Sequence, residues 1–318
     1  MTQPPIRSKA STPTEPPDWM RQKERGNLFW LKVMRALSLA LGRRLTRPIL
    51  YGIALYFLLT AHAARRASRD YLSHIQGRPA SWWQMYAHVL AFASTIHDRI
   101  FLLNDCFDAF DFQVSGVEEL HALHRAQGGV FLFGGHIGSF EALRTTSRHT
   151  PDVPQHIYLA MYEENARRIS GILGAINPAN APEIIPLGKL DSMLKIREHL
   201  EQGAFVGILA DRSLAFDQCV SVPFLGRTAQ LPTGPFRMAA MLRRPVVCMA
   251  GLYRGGNRYD VHFKQIADFS HVDAAGRNAA IAEAMANYAR TLESYCRAAP
   301  LNWFNFYDFW NTPTHAQN

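Results

Sequence analysis

A histidine and a glutamate stand five positions apart in residues 135–141, whose sequence is GHIGSFE. A neutral imidazole is a competent base near pH 7, and a carboxylate beside it can hold its tautomer and stabilise the imidazolium. His136 and Glu141 are therefore candidates for removing a proton from a hydroxyl group. A single histidine in a glycine-rich turn is more often structural, so the prediction depends on the pair and on its place in the fold.

The residues around this pair predict a strand, a turn and a helix. Residues 130–133 (VFLF) form an apolar run typical of a fully buried strand, and residues 139–144 predict the first turn of a helix. The glycines form the turn between them. His136 is then expected at the carboxyl end of a strand, which is where ligands bind in open α/β sheets.

The chain beyond residue 104 predicts an α/β fold. Short apolar runs alternate there with amphipathic helices. Further strands are expected at 156–161, 183–187, 204–209 and 246–249, and helices at 164–176, 190–201, 234–244 and 277–298. Such alternation favours a largely parallel sheet covered by helices.

The first third of the chain has a different character. Residues 1–18 are rich in proline and lack the apolar core of a secretory signal, so a disordered tail is expected. Residues 19–103 predict helices throughout, with Pro48 at the start of one of them. The predicted organisation is thus a tail, a helical section and an α/β domain at 104–318.

Two stretches of the helical section predict contact with a membrane surface. Lys32, Arg35 and Arg43 fall on one face of the first helix. Residues 49–61 are uncharged but fall short of the roughly 20 residues that span a bilayer, and two arginines follow. The prediction is an interfacial, membrane-associated section. The alternative is that these helices only pack against the main domain.

Composition limits the class of protein. At 318 residues and 48% hydrophobic residues, the chain is long and apolar enough to be globular. Its 34 Lys and Arg against 26 Asp and Glu favour an anionic partner, which leaves nucleic acid, phosphate-bearing substrates and anionic lipid open. The four cysteines are far apart, which indicates neither a zinc site nor a disulfide framework and fits a reducing compartment.

Other chemistries fit less well. The glycines at 134, 135 and 138 do not form the dinucleotide-binding pattern, and His136 would occupy its crowded turn. The nucleophile elbow of serine hydrolases is absent from the sequence around Ser139. His121 and His124 lack nearby partners at metal-binding spacing. Transfer of a group to a hydroxyl remains, with no metal or cofactor expected.

Further loops are expected to face the same crevice. Residues 210–213 (ADRS) end a predicted strand, residues 222–227 (VPFLGR) form a second loop, and residues 232–235 (PTGP) open a helix. Arg212 and Arg227 on these loops are candidates for holding an anionic part of the substrate or donor.

Five blocks in order carry a family resemblance. They are GHIGSFE at 135–141, the start of a helix at 165–168, ADR at 210–212, VPFLG at 222–226 and PTGP at 232–235. In this order the chain resembles the lipid A biosynthesis (late) acyltransferases, which share the H-x4-D/E motif of the wider glycerolipid acyltransferase fold. The resemblance spans nearly the whole chain, including a membrane-associated helical part at the N-terminus.

The resemblance implies transfer of an acyl chain from a thioester, usually on acyl carrier protein and alternatively on coenzyme A, to a lipid or glycolipid hydroxyl. The expected location is the cytoplasmic face of the bacterial inner membrane, with an anionic lipid surface as partner and no nucleic acid. Arg168 and Asp211 would also be site residues. A non-catalytic lipid-binding or acyl-carrier-binding protein of the same fold is the alternative, ahead of a nucleotide-binding α/β enzyme.

The expected mechanism has His136 as general base and Glu141 as the residue that orients it. Backbone N–H groups of residues 137–139, including those of Gly138 and Ser139, would receive the oxyanion, because the N-terminus of a helix favours developing negative charge.

The sequence also departs from the family pattern. Gly135 and Phe140 stand where the family usually has Asn and Trp, and ADRS replaces a common D-Q-D loop. The terminal segment 303–310, WFNFYDFW, differs from the usual Trp- and Arg-rich end. Lipid A, another glycolipid and a polyene lipid therefore all remain open as acceptors.

Overall fold

A computed structural model describes residues 28–144, 157–188, 190–213 and 217–310 of the chain. Within these residues, a seven-stranded sheet lies between helices, and two further strands form a separate hairpin. The α/β fold with a mostly parallel sheet is thus confirmed. The predicted tail at 1–18 lies outside the described residues, and the division at residue 104 stays a prediction.

The elements are numbered in chain order. The strands are β1 Asp111–Ser115, β2 Val130–Gly134, β3 Ile157–Tyr162, β4 Ile184–Leu187, β5 Phe205–Leu209, β6 Cys219–Phe224, β7 Arg227–Pro232, β8 Pro245–Tyr253 and β9 Arg258–Asp268. The helices are α1 Leu28–Thr46, α2 Ile49–Thr60, α3 His62–Gln76, α4 Trp82–Leu103, α5 Val117–Gln127, α6 Glu163–Ile176, α7 Leu190–Glu201, α8 Gly234–Met241 and α9 Arg277–Ala298.

The order of the strands brings two loops together. The sheet runs β1-β9-β8-β2-β5-β3-β4, and the five strands from β8 to β4 are parallel. β9 is antiparallel to β8, and β1 is parallel to β9. In the centre, Gly134 at the end of β2 pairs with Leu209 at the end of β5. The segments that follow these two residues must therefore meet at one edge of the sheet.

β2 is buried on both faces, which explains its continuous apolar sequence. Phe131 and Phe133 point into the core on the side of α8 and α9, and Phe133 meets the Phe236 ring edge-on at 5.1 Å. Val130 and Leu132 point into a second core to which α4, α5 and α6 contribute. With helices on both sides, β2 is a rigid base for the turn that follows it.

Several elements differ from the sequence-based expectation. The segment 222–227, predicted as a loop at the crevice, forms the end of β6, a turn and the start of β7 in the antiparallel hairpin. β1 and β9 were missed, since four of the five β1 residues are exposed and β9 alternates charged with apolar residues. Pro48 does precede α2, as predicted.

The N-terminal helices form part of the packed structure. Leu50, Ala54 and Leu58 make the buried face of α2, which contacts α4. The described helices include none that is long and apolar enough to cross a membrane, and α2 has only 12 residues.

A buried ion pair ties α1 to the sheet. The Asp98 carboxylate on α4 has no exposed surface and receives Arg43 Nε at 2.7 Å and Nη2 at 2.9 Å. The Tyr259 hydroxyl on β9 donates to the same carboxylate at 2.8 Å. Arg43, predicted on the basic face of this helix with Lys32 and Arg35, is therefore turned inward, because a buried carboxylate binds its guanidinium.

We expect Asp98→Ala to lower the free energy of unfolding by about 3–5 kcal/mol, because it leaves the Arg43 guanidinium buried without its counter-ion. Urea denaturation followed by circular dichroism measures the change. The control is Glu201→Ala, which removes the exposed partner of Arg197 and should change stability little. Equal effects of the two substitutions would show that the Asp98 pair does not anchor the helices.

Candidate active site

The turn after β2 is held by three main-chain hydrogen bonds, one within the turn and two to other segments. Ile137 N–H donates to Gly135 at 2.7 Å, Gly138 N–H to Asn302 at 2.9 Å, and Ser139 N–H to Gly251 on β8 at 2.8 Å. Gly138 has a φ of +63°, and a Cβ there would overlap the carbonyl oxygen of Gly251. The conformation thus requires glycine at 138, and the turn is fixed by β8 and by the segment around Asn302.

His136 is paired with Asp211, which lies two residues beyond β5. The Asp211 carboxylate accepts His136 N–H through Oδ2 at 2.8 Å and lies 2.8 Å from Nδ1 through Oδ1. Because an ionised carboxylate only accepts hydrogen bonds, the Nδ1 atom carries the proton and Nε2 keeps its lone pair. Asp211 is fully buried, whereas 27% of the His136 side chain is exposed. Among the described residues, nothing hydrogen-bonds to Nε2.

The charges around this pair suit a neutral imidazole. Burial and the nearby Arg212 guanidinium lower the pKa of His136, while Asp211 acts in the opposite direction. Burial alone would raise the pKa of Asp211, but His136 and Arg212 hold the pKa of that carboxyl well below its usual range. At neutral pH the site contains an ionised carboxylate and an imidazole that can accept a proton.

Glu141 does not have the contact that was expected of it. Its carboxylate lies 2.7 Å from Arg99 Nε on α4 and accepts a hydrogen bond from Ser139 Oγ at 3.2 Å. The expected helix does not begin at residue 139, because residues 137–139 are bonded to neighbouring segments and a short 3₁₀ turn spans Glu141–Arg144. The carboxylate at Nδ1 instead comes from Asp211, 75 positions along the chain.

The backbone donors predicted for the oxyanion are also engaged. The N–H groups of Ile137, Gly138 and Ser139 all donate to carbonyl oxygens of the protein. Gly138 and Ser139 therefore build the turn in this conformation, and their N–H groups do not point to a substrate.

Of the three arginines predicted as site residues, the structure places one beside the His136–Asp211 pair and another elsewhere. Arg212 lies beside the pair: its Nε donates to Asn305 Oδ1 at 2.7 Å, and its guanidinium lies 5.4 Å from the Tyr307 ring centre. Arg227 instead binds Asp70 on α3 at 2.8 Å. Arg168 is on α6, but its side chain lies outside the described residues.

The C-terminal segment 302–307 contributes a site residue that the sequence analysis missed. Phe304 N–H donates to the His136 carbonyl at 2.7 Å, and Asn305 Nδ2 donates to Asp211 Oδ2 at 2.9 Å. The only sequence signal was an asparagine within an aromatic run, which does not indicate a partner. Among the described residues, no group of three or more His, Cys, Asp or Glu side chains could hold a metal ion.

A histidine–aspartate pair at the carboxyl edge of a mostly parallel sheet defines an α/β protein equipped for proton transfer. The family model described as bacterial lipid A biosynthesis acyltransferase matches residues 19–312. The chain therefore belongs to this family of acyltransferases, and the resemblance seen in the sequence is confirmed. Comparison with curated proteins gives no match.

We expect the His136 imidazole to titrate below the ordinary histidine pKa, and Asp211→Asn to lower its pKa further, because the imidazolium loses its counter-ion. An NMR titration of protein labelled in its histidine side chains, assigned with His136→Gln, measures both. Asp217→Asn is the control, since Asp217 binds the Tyr162 hydroxyl. An unchanged or raised pKa in Asp211→Asn would contradict the electrostatic account of the pair.

Proposed function

We propose that this protein is an O-acyltransferase that moves a fatty acyl chain from an acyl thioester to a hydroxyl of a lipid or glycolipid. The observation that carries the proposal is the His136–Asp211 pair, in which buried Asp211 holds Nδ1 of a partly exposed imidazole and leaves its Nε2 lone pair available. Membership of the lipid A acyltransferase family supports the acyl donor and lipid acceptor in general. Acyl carrier protein is the proposed donor, with coenzyme A as the alternative.

In the proposed reaction, His136 Nε2 removes the proton of the acceptor hydroxyl as its oxygen attacks the thioester carbonyl carbon. Asp211 stabilises the imidazolium that forms. Collapse of the tetrahedral intermediate forms the ester and breaks the carbon–sulfur bond. The proton on Nε2 then passes to the departing thiolate, so His136 returns to its neutral form.

The negative oxygen of the tetrahedral intermediate needs a nearby positive charge. We assign this role to Arg212, whose charge already acts on His136 and whose side chain is anchored by Asn305 and the Phe304 carbonyl. Glu141 and Arg99 are assigned to bracing the turn through Ser139. Arg168 remains a candidate for holding an anionic group of the acceptor or donor.

We also propose that α1, α2 and the start of α4 lie in the surface of a membrane, at the cytoplasmic face of the bacterial inner membrane. Large apolar side chains are exposed there: Leu41, Leu45, Ile49, Tyr51, Leu55, Tyr56, Leu59, Trp82 and Trp83. Trp83 has the largest exposed fraction of these side chains, 80%. Contiguous exposed apolar side chains of this kind mark a surface that contacts a membrane or another protein. Exposed Arg44 and Arg66 lie close in sequence to these residues, as expected for contact with anionic headgroups.

Replacement of His136 by alanine should reduce acyl transfer by about 10²- to 10⁴-fold, because the general base is lost. The measurement is transfer of a radiolabelled acyl chain from acyl carrier protein to bacterial lipid extracts, with folding checked by circular dichroism. His271→Ala, which changes an exposed histidine, should retain full activity. Near-wild-type turnover in His136→Ala would contradict the role of His136 as general base. If the wild type binds lipid or acyl carrier protein without turnover, the protein is non-catalytic.

For the membrane surface, Leu55→Ser combined with Trp83→Ser should weaken binding to anionic phospholipid vesicles by about tenfold or more, because two large apolar side chains no longer enter the lipid. Vesicle sedimentation measures the bound fraction. Leu194→Ser on α7 is the matched control, because Leu194 is 60% exposed and lies outside the proposed surface. Equal binding by all three proteins would exclude this surface.

A further inference from the structure

We propose that Asn305 is a positioning residue of the site, whose side-chain amide bridges Asp211 and Arg212 and so holds both in place around His136. The inference rests on the proposed function only for its activity readout, because the geometry of the three residues stands without it.

The bridge uses both ends of the amide. Asn305 Nδ2 donates to Asp211 Oδ2 at 2.9 Å, and Asn305 Oδ1 accepts from Arg212 Nε at 2.7 Å. A carboxamide can donate to a carboxylate through its nitrogen and accept from a guanidinium through its oxygen at the same time. Aspartate would lose the donor, and leucine of similar size would lose both bonds.

Such a bridge is needed because Asp211 and Arg212 are neighbours in sequence and carry opposite charges. A guanidinium and a carboxylate readily form a two-bond ion pair, which would compete with His136 for the oxygens of Asp211. Asn305 donates a hydrogen bond to Asp211 Oδ2. It also accepts the Arg212 Nε–H through its side-chain oxygen, which directs that N–H away from Asp211. Oδ1 of Asp211 is thereby kept for His136 Nδ1.

The backbone around Asn305 is firmly held, so the amide is a fixed support. Asn305 is 3% exposed. On one side, Phe304 N–H donates to the His136 carbonyl at 2.7 Å. Further back, the Asn302 side chain accepts from Tyr253 N–H at 2.7 Å and donates to the Tyr253 carbonyl at 2.9 Å.

The bridge also controls the charges that act on His136. Asp211 raises the pKa of His136 and Arg212 lowers it, so their positions decide the balance. Among the described residues, Tyr288 and Cys296 on α9 and Tyr307 in the C-terminal segment also lie close enough to interact with Asp211. Burial raises the pKa of all three, so they stay neutral near pH 7.

The experiment is an NMR titration of His136 in the full-length protein, which needs no turnover. Asn305→Asp should move the titration to higher pH, because a second carboxylate replaces a neutral group and offsets Arg212. Asn305→Leu should broaden or abolish the downfield Nδ1–H signal, because Asp211 loses its fixed position. In acyl transfer, both should lower kcat by about 10- to 100-fold, with a smaller effect on KM.

The control is Asn287→Asp, which adds the same charge on α9, where Asn287 binds the Ile266 carbonyl. If both Asn305 variants retain the wild-type titration and Nδ1–H signal, or if Asn287→Asp shifts the titration as much, the inference is overturned. Should Asn305→Asp fail to fold, Asn305→Leu tests the bridge alone. If the wild type shows no acyl transfer but the NMR changes appear, the bridge stands and the proposed function fails.

Discussion

The Asp211 carboxylate has no exposed surface, and a carboxylate there is tolerated only because donors converge on it from two directions. His136 supplies its main-chain N–H and Nδ1, and Asn305 supplies a side-chain N–H. The same bonds define the orientation of the imidazole and the course of two loops. One buried charge therefore connects β2, β5 and the C-terminal segment, and the arrangement of the site follows from satisfying it.

The C-terminal segment has a structural and a chemical part in this arrangement. Its main chain closes the turn after β2 at Gly138 and His136, and its side chains reach β8 and the loop after β5. The Asn305 amide contacts the Asp211 carboxylate and the Arg212 guanidinium together.

A second buried carboxylate, Asp98, plays a comparable part at the other side of the molecule. Its bonds to Arg43 and Tyr259 fix α1 against α4 and β9. The apolar surface proposed to meet the membrane is thereby held in a fixed position relative to the sheet. The buried face of α2 contributes to the same packing, so this surface is an integral part of the fold.

The amino-acid sequence by itself determined the α/β class, the strand before His136, most of the helices of the main domain and the family. These features depend on local periodicity, turn residues and the order of motifs, which are present in the chain without its fold. The sequence also identified His136 as a candidate site residue, and the family resemblance identified Asp211. Sequence proximity made Glu141 the expected partner of His136, and the predicted helix start made the N–H groups of residues 137–139 the expected oxyanion donors.

Only the tertiary structure decided which carboxylate meets His136 and what Asn305 does. The pairing of Gly134 with Leu209 places Asp211 beside His136, although 75 positions separate the two residues. The same packing turns Glu141 toward Arg99 and engages the backbone N–H groups of the turn. Such contacts depend on strand order and on which groups are buried together, and neither is encoded in the spacing of a motif.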